Sequence, residues 1–230
     1  MPMNKVLANS NMYSFANFTF SAIRGCQHDC KYCYLKAMPR IDMRPRLEEK
    51  ELSTNLGHGN FIFIGSSSDM FGEWISVEMI LEVLKHCKKY DNTYLFMTKN
   101  PARYLCHRII WNLPPLSVLG CTIESNRDYN ISNAPTSKER YKAMVKLKKF
   151  PKYQRFVSIE PIIDFDVDIL VGWIKEIEPD FIAIGADSKR SDLKEPTGAK
   201  IHTLIEKLQN HTDIRLKKNI ERIYKSEDFK

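Results

Sequence analysis

The chain has 230 residues, of which 43% are hydrophobic, enough to bury one core, and it contains no apolar run near the roughly 18 residues that a membrane span requires. Its 35 basic and 28 acidic residues give a net charge of +7, which suits an anionic partner such as a nucleic acid or a nucleotide. We therefore expect a single domain over residues 1–230, located in the cytoplasm and without a membrane partner.

Short apolar runs alternate with helical patterns along the chain. The alternating stretch 17–23 predicts a first strand. Five unbroken apolar runs are typical of strands buried on both faces, at 61–64, 94–97, 117–119, 156–159 and 181–184. Helical patterns separate or follow these runs, at 76–84, 100–109, 136–145, 167–177 and 199–208. About six such units predict an α/β fold, a partial (β/α)6 TIM-type barrel with mostly parallel strands.

A cysteine cluster follows the first predicted strand. Cys26, Cys30 and Cys33 are spaced C-x3-C-x2-C, and a reducing compartment favours metal binding over disulfides for such a cluster. A loop this short can place three thiolates on three irons of a 4Fe-4S cube, which leaves the fourth iron without a protein ligand. The spacing therefore predicts an iron-sulfur site with one open iron.

The alternative interpretation of the cluster is a zinc site completed by His28 or His58. Zinc sites usually carry a second cysteine pair well downstream, and the sequence has none. We expect the three other cysteines to be structural thiols on helices and a strand, namely Cys87, Cys106 and Cys121.

The motif, with Tyr32 just before the last cysteine, resembles that of the radical S-adenosylmethionine (SAM) superfamily. The order of segments resembles the small radical SAM proteins of phages and bacteria that are distantly similar to spore photoproduct lyase. This resemblance implies a cluster loop at 24–35, a 4Fe-4S cluster and SAM as cofactors, and a flavodoxin- or ferredoxin-type one-electron reductant as partner. It also implies that SAM is reductively cleaved to a 5'-deoxyadenosyl radical, which abstracts hydrogen from a substrate.

Polar residues at the predicted strand ends are candidate SAM ligands, because β/α barrels bind ligands there. Ser67 and Asp69 stand where the superfamily usually has a Gly-Gly-Glu type segment for the SAM amino group. The sequence departs from that pattern, so both are assigned by position, and a turn with Asp69 as a helix cap is the alternative. Lys99 resembles the lysine of spore photoproduct lyase that meets the SAM carboxylate.

The next two strand ends supply further candidates. Thr122 and Glu124 are predicted to hydrogen-bond the SAM ribose, and Glu160 is predicted to bind the cofactor or to accept a hydrogen bond from a neighbouring loop. We expect Tyr32 to pack beside the cluster. Carboxylates at strand ends are costly to bury without partners, which favours ligands or basic side chains nearby.

The substrate is indicated mainly by charge. Lysines recur at helical spacing at Lys138, Lys142, Lys146 and Lys149, and more cations cluster towards the basic C-terminal tail, 217–230. Such a stripe can bind phosphates, or it can simply solvate an outer helix. The hypotheses are a radical SAM enzyme acting on a nucleic acid or nucleotide, one acting on a peptide or small metabolite, and a zinc-dependent nucleic-acid-binding module.

Overall fold

The structure is a computed structural model that describes residues 3–7, 12–39, 42–189 and 191–229. Its strands are β1 (Asn4–Lys5), β2 (Phe18–Phe20), β3 (Ile23–Arg24), β4 (Arg46–Leu47), β5 (Phe61–Ile64), β6 (Thr93–Thr98), β7 (Ser117–Thr122), β8 (Gln154–Ile159), β9 (Phe181–Ile184) and β10 (Asp213–Leu216). Its α-helices are α1 (Val77–Cys87), α2 (His107–Ile110), α3 (Ser137–Lys146), α4 (Val167–Ile177) and α5 (Gly198–Leu208). Short 3-10 helices lie at Tyr34–Ala37, Glu49–Ser53, Pro101–Leu105, Leu147–Lys149, Lys218–Arg222 and Ser226–Phe229.

Eight strands form one sheet in the order β1-β2-β5-β6-β7-β8-β9-β10. β1 pairs antiparallel with β2, and all the other neighbours in this sheet pair in parallel. Within the described ranges β1 and β10 are its edges and do not pair with each other, so the sheet is an open arc. The predicted partial barrel with mostly parallel strands is confirmed.

The sheet has an apolar cluster on each face. The larger cluster joins the strands to the helices, and Ile62, Ile80 and Leu204 are among its fully buried members. The smaller cluster lies on the opposite face, where the strands meet the N-terminal segment through contacts of Tyr13 and Phe15. Because both faces are covered, the central strands are mostly apolar, as the sequence patterns indicated.

Side-chain caps mark the starts of α1 and α3. Ser76 Oγ accepts the Met79 N–H at 3.2 Å at the start of α1. Thr136 opens α3 with a capping box, in which its side chain accepts from the Glu139 N–H while the Glu139 carboxylate accepts from the Thr136 N–H.

Among the described helices, none combines the length and the apolar character that crossing a membrane would take.

Two predicted elements differ in the structure, and one parallel strand was not predicted. The first strand stops at Phe20, because the following backbone leaves the sheet to pair Ile23–Arg24 with Arg46–Leu47. The helix predicted over 100–109 is broken at Cys106, whose backbone is extended. A seventh parallel strand, β10, was not predicted, because its residues alternate between charged and apolar and lie half-buried at the sheet edge.

Candidate cluster and cofactor site

The carboxyl ends of β5, β6 and β7 and the cluster loop 24–35 enclose a cavity of about 200 Å³. We call it the cysteine cavity. Its wall contains all three predicted cluster ligands together with most of the predicted SAM ligands: Cys26, Cys30, Cys33, Tyr32, Ser67, Asp69, Lys99 and Thr122. The structure therefore brings these residues together around one space, and their roles as ligands stay predictions.

The residues of the cysteine cavity fit an iron-sulfur cluster. Cys26, Cys30 and Cys33 are free thiols facing one space. Among the residues that the structure describes, no three His, Cys, Asp or Glu side chains are grouped as a single metal ion would require. The thiolates of a 4Fe-4S cube each bind a different iron, so they need only face a common cavity. His58, the alternative zinc ligand, does not line this cavity.

Burial favours the protonated thiols of Cys26 and Cys30 in the metal-free chain. Desolvation raises the pKa of Cys26 to about 12, and it also raises the pKa of Cys30 above its ordinary value. Iron ligation requires thiolates, so cluster loading must release protons from these groups.

Gly25 sets the path of the chain into the cluster loop. Its φ is +78°, a left-handed conformation that a residue with a side chain seldom adopts. A Cβ at this position would lie 2.3 Å from the Arg44 carbonyl oxygen. The backbone of Gly25 also forms an isolated parallel bridge with Ser68, just beyond β5. The cluster loop is therefore packed too closely here for any side chain.

We expect Gly25→Ala to lower the free energy of unfolding by about 1–3 kcal/mol, because a strained backbone meets a close contact. Cluster loading should fall with it. Gly172→Ala on α4 is the matched control, since a Cβ there meets nothing within 4 Å. That control should stabilise the protein by roughly 0.5–1 kcal/mol. Thermal unfolding and iron content measure both variants, and equal behaviour would contradict this account of the loop.

Asp69 fastens the cluster loop to the strand ends. His28 Nε2 lies 2.7 Å from Asp69 Oδ2. Asp69 Oδ2 also accepts from Thr98 Oγ1 at 2.9 Å and from the Lys99 N–H at 2.8 Å. The other carboxylate oxygen, Oδ1, accepts from the Phe71 N–H at 3.0 Å. Burial alone would raise the pKa of Asp69, but the contact with His28 and the other donors lowers it. Sequence reasoning considered His28 only as a zinc ligand and missed this contact.

Glu124 anchors a buried polar network behind the cavity. It accepts from Lys99 Nζ and from the Tyr32 hydroxyl, and Arg140 Nη1 donates to it at 2.7 Å. The exposed fractions of these side chains are 1% for Glu124, 4% for Arg140 and 13% for Lys99. Burial would raise the pKa of Glu124, but the charges of Arg140 and Lys99 outweigh it and hold the pKa well below its usual range. Glu124 is therefore a carboxylate at neutral pH.

Two of the predicted SAM ligands do not line the cysteine cavity. Glu124 lies behind Lys99 in the buried network, and its predicted contact with the ribose stays a prediction. Glu160 lies at the end of β8, where it accepts from Lys217 Nζ at 2.5 Å and from Asn219 Nδ2 at 3.0 Å. This matches the predicted alternative, in which Glu160 accepts a hydrogen bond from a neighbouring loop.

Glu160 and Lys217 belong to a second cavity of about 230 Å³ at the carboxyl ends of β8, β9 and β10. Its floor is Tyr13, whose hydroxyl donates to Ser158 Oγ at 2.9 Å. This second cavity shares three wall residues with the cysteine cavity: Tyr32, Tyr34 and Ser66. The two spaces are therefore neighbours, and sequence analysis gave no sign that Tyr13 would line the second one.

The cations predicted to form a basic surface divide into two groups. The lysines of the predicted stripe are exposed on or just after α3: Lys138, Lys142, Lys146 and Lys149. Lys217 instead pairs with Glu160, and the guanidinium of Arg215 lies 3.9 Å from the Phe181 ring centroid. The first group forms an exposed lysine face on α3, while the tail after Lys217 packs Ile220 and Tyr224 into the core and leaves Lys218 and Lys225 exposed.

A family model described as a protein of unknown function, DUF5131, matches residues 10–190. The chain belongs to this family. No curated protein matches the sequence at a significant level. The DUF5131 segment contains the predicted cluster loop and the predicted SAM ligands at the ends of β5 to β8, but it stops before β10 and Lys217.

Solved structures share the fold of this DUF5131 chain. A point mutant of spore photoproduct lyase is 11% identical with a TM-score of 0.66, covering 94% of this chain and 80% of that one. A mutant of the same enzyme with bound AdoMet and a dinucleoside spore photoproduct is 13% identical with a TM-score of 0.56, covering 91% and 66%. SuiB of Streptococcus suis bound to S-adenosylmethionine is 12% identical with a TM-score of 0.58, covering 86% and 49%. The resemblance predicted from the cysteine motif is confirmed in the fold.

Proposed function

We propose that this DUF5131 protein is a radical SAM enzyme of the reducing cytoplasm whose Cys26, Cys30 and Cys33 hold a 4Fe-4S cluster. The observation that carries the proposal is the meeting of these three free thiols with Lys99 in one cavity at the strand ends. The cluster and SAM supply, when bound, a one-electron cleavage that yields a hydrogen-abstracting 5'-deoxyadenosyl radical. We further propose a single core domain over 1–230 and a flavodoxin- or ferredoxin-type protein as the electron donor.

The chain's own residues bind and orient the cofactor. Lys99 offers its ammonium to the SAM carboxylate, as a charge-assisted contact in a partly dry site. Ser67 and Asp69 face the amino group, and Thr122 offers a hydroxyl to the ribose. Tyr32 lines both cavities and so lies between the proposed cofactor and substrate spaces. Asp69 also holds the loop, since it already accepts hydrogen bonds from His28 and from strand-end donors.

Removing Lys99 tests the carboxylate contact. We expect Lys99→Ala to weaken SAM binding by roughly 1.5 to 3 kcal/mol, or about tenfold or more, because a charge-assisted hydrogen bond is lost. Lys175→Ala, on the outer face of α4, is the matched loss of a charge at an exposed site. Calorimetric titration of reconstituted protein measures both dissociation constants, and an unchanged value for Lys99→Ala would remove Lys99 from the site.

The proposed activity is tested by product analysis. Anaerobically reconstituted and reduced protein is mixed with SAM, without added substrate, and the mixture is separated by liquid chromatography. The proposal predicts release of 5'-deoxyadenosine and methionine, even slowly. If SAM stays intact while the cluster is reduced, the assignment to radical SAM chemistry is wrong.

We propose the second cavity as the place where the substrate lies, because it adjoins the cysteine cavity across Tyr32, Tyr34 and Ser66. A nucleic acid or nucleotide is the favoured substrate. The net charge of +7 and the exposed lysine stripe on α3 support it. The likeness in fold to spore photoproduct lyase with a dinucleoside spore photoproduct also supports it. Glu160 and Lys217 line this cavity as an ion pair, whose polar atoms can also hydrogen-bond the edge of a base.

Salt dependence tests the substrate proposal. DNA, RNA and free nucleotides are titrated into SAM-loaded protein at several salt concentrations. A polynucleotide should lose affinity with a log-log slope of about 0.7 to 0.9 for each phosphate neutralised, whereas a mononucleotide should give a much smaller slope.

The alternative substrate is a peptide or a small metabolite. The fold is also like that of SuiB bound to its precursor peptide SuiA, at 12% identity and a TM-score of 0.59. Absence of binding to every nucleic acid and nucleotide at low salt would favour a peptide or metabolite.

A further inference from the structure

Arg140 is a buried arginine that reaches from α3 to the end of β7. Its Nη1 donates to Glu124 Oε2 at 2.7 Å and to the Thr122 carbonyl at 2.6 Å, and its Nη2 donates to Ser137 Oγ at 3.2 Å. Arg140 does not line the cysteine cavity; with Glu124 and Ser137 it lines a separate cavity of about 110 Å³. Thr122 and Lys99 do line the cysteine cavity, and Glu124 links Lys99 to Arg140.

The charges of this network leave an excess of one positive charge. Glu124 carries one negative charge between two cations, Lys99 and Arg140, and Tyr32 contributes a neutral hydroxyl. The guanidinium makes a direct contact with the Glu124 carboxylate inside a site with little water, where such pairs interact strongly. Without Arg140, Glu124 would depend on Lys99 alone for neutralisation.

We propose that Arg140 is a positioning residue that neutralises Glu124 and so leaves the charge of Lys99 available to an anionic group in the cysteine cavity. The proposal rests on the function proposed above, in which that group is the SAM carboxylate. Arg140, which lies outside the cysteine cavity, would therefore set the affinity of that cavity for SAM. The effect is electrostatic, so it depends on the balance of charge between Arg140 and Glu124.

A set of charge variants tests this balance in anaerobically reconstituted protein. SAM dissociation constants are measured by calorimetry, and the reduced cluster is examined by electron paramagnetic resonance before and after SAM addition. We expect Arg140→Met to raise the dissociation constant about tenfold or more, because Lys99 becomes committed to Glu124. Arg140→Lys keeps the charge and should stay within about threefold of the unaltered protein. Lys175→Met on α4 is the control for loss of an exposed charge.

The double variant separates charge from structure. Arg140→Met with Glu124→Gln removes both charges of the pair, keeps the side-chain volumes similar and avoids an uncompensated buried carboxylate. The amide oxygen of Gln keeps an acceptor for the predicted ribose contact, so the double variant should fold and bind SAM within about threefold of the unaltered protein. A double variant as weak as Arg140→Met, or an Arg140→Met that binds normally, would overturn the proposal. If the unaltered, iron-loaded protein binds no SAM, the proposed function itself fails and this inference falls with it.

Discussion

Replacing any one of Cys26, Cys30 or Cys33 by Ala is expected to reduce the iron content from about four per chain to near zero. Each thiol lines the same cavity and would bind a different iron, so the two remaining thiolates would be too few to bind the cluster stably. The loaded protein should be brown because of the charge-transfer absorbance of the cluster, and this absorbance should disappear with the iron. Anaerobic reconstitution followed by iron and sulfide analysis measures the loss directly.

Cys106→Ala is the control for this series. Cys106 is also a free thiol and only half-buried, but it lies between the Pro101–Leu105 turn and α2, outside the cysteine cavity. Its loss should leave the iron content unchanged. A variant of Cys26, Cys30 or Cys33 that retained about four irons would show that another group holds the cluster, and the ligand assignment would be withdrawn for that position.

Asp69→Ala is expected to lower the free energy of unfolding by about 3–5 kcal/mol, the range for breaking a buried charged contact. The carboxylate is buried and accepts hydrogen bonds from the Thr98 hydroxyl and from the Lys99 and Phe71 amides. It also contacts the His28 ring. These buried groups would be left without their acceptor. At about 2–4 °C per kcal/mol for a chain of this size, the melting temperature should fall by roughly 6 to 20 °C.

Asp168→Ala is the matched control for this stability effect. Asp168 pairs with Lys207 on the surface, where its side chain is 86% exposed, so its loss should cost no more than about 1 kcal/mol. Thermal unfolding of the metal-free chains compares the two variants without any contribution from the cluster. Equal melting temperatures for Asp69→Ala and the unaltered protein would show that the cluster loop is held by other contacts.

The fold could be predicted where burial makes the sequence apolar. The runs in β5 to β9 are unbroken because helices cover one face of the sheet and the N-terminal segment covers the other. β10 escaped prediction because Asp213–Leu216 is an edge strand that alternates charged and apolar residues. β1 escaped because two residues, Asn4–Lys5, are too few to show any period.

The site could be predicted only where chemistry follows from local spacing. Three cysteines within eight residues point to a cluster, and strand ends of a parallel sheet must share one edge. Glu160 was predicted at the same site, but it lines the second cavity because β8 lies beyond β7, away from the cluster loop. Arg140 could not be found, because in sequence it is one more cation in a lysine-rich helix and only packing brings it to Glu124. Lys217 likewise seemed part of a basic tail until its pairing with Glu160 was seen.

Metal analysis combined with electron paramagnetic resonance tests the central claim most directly. The protein is purified and reconstituted without oxygen, reduced, and measured with and without SAM. We predict about four irons per chain and a reduced-cluster signal that shifts when SAM binds the open iron. Stoichiometric zinc with no charge-transfer absorbance would contradict the account and would favour the zinc-dependent alternative.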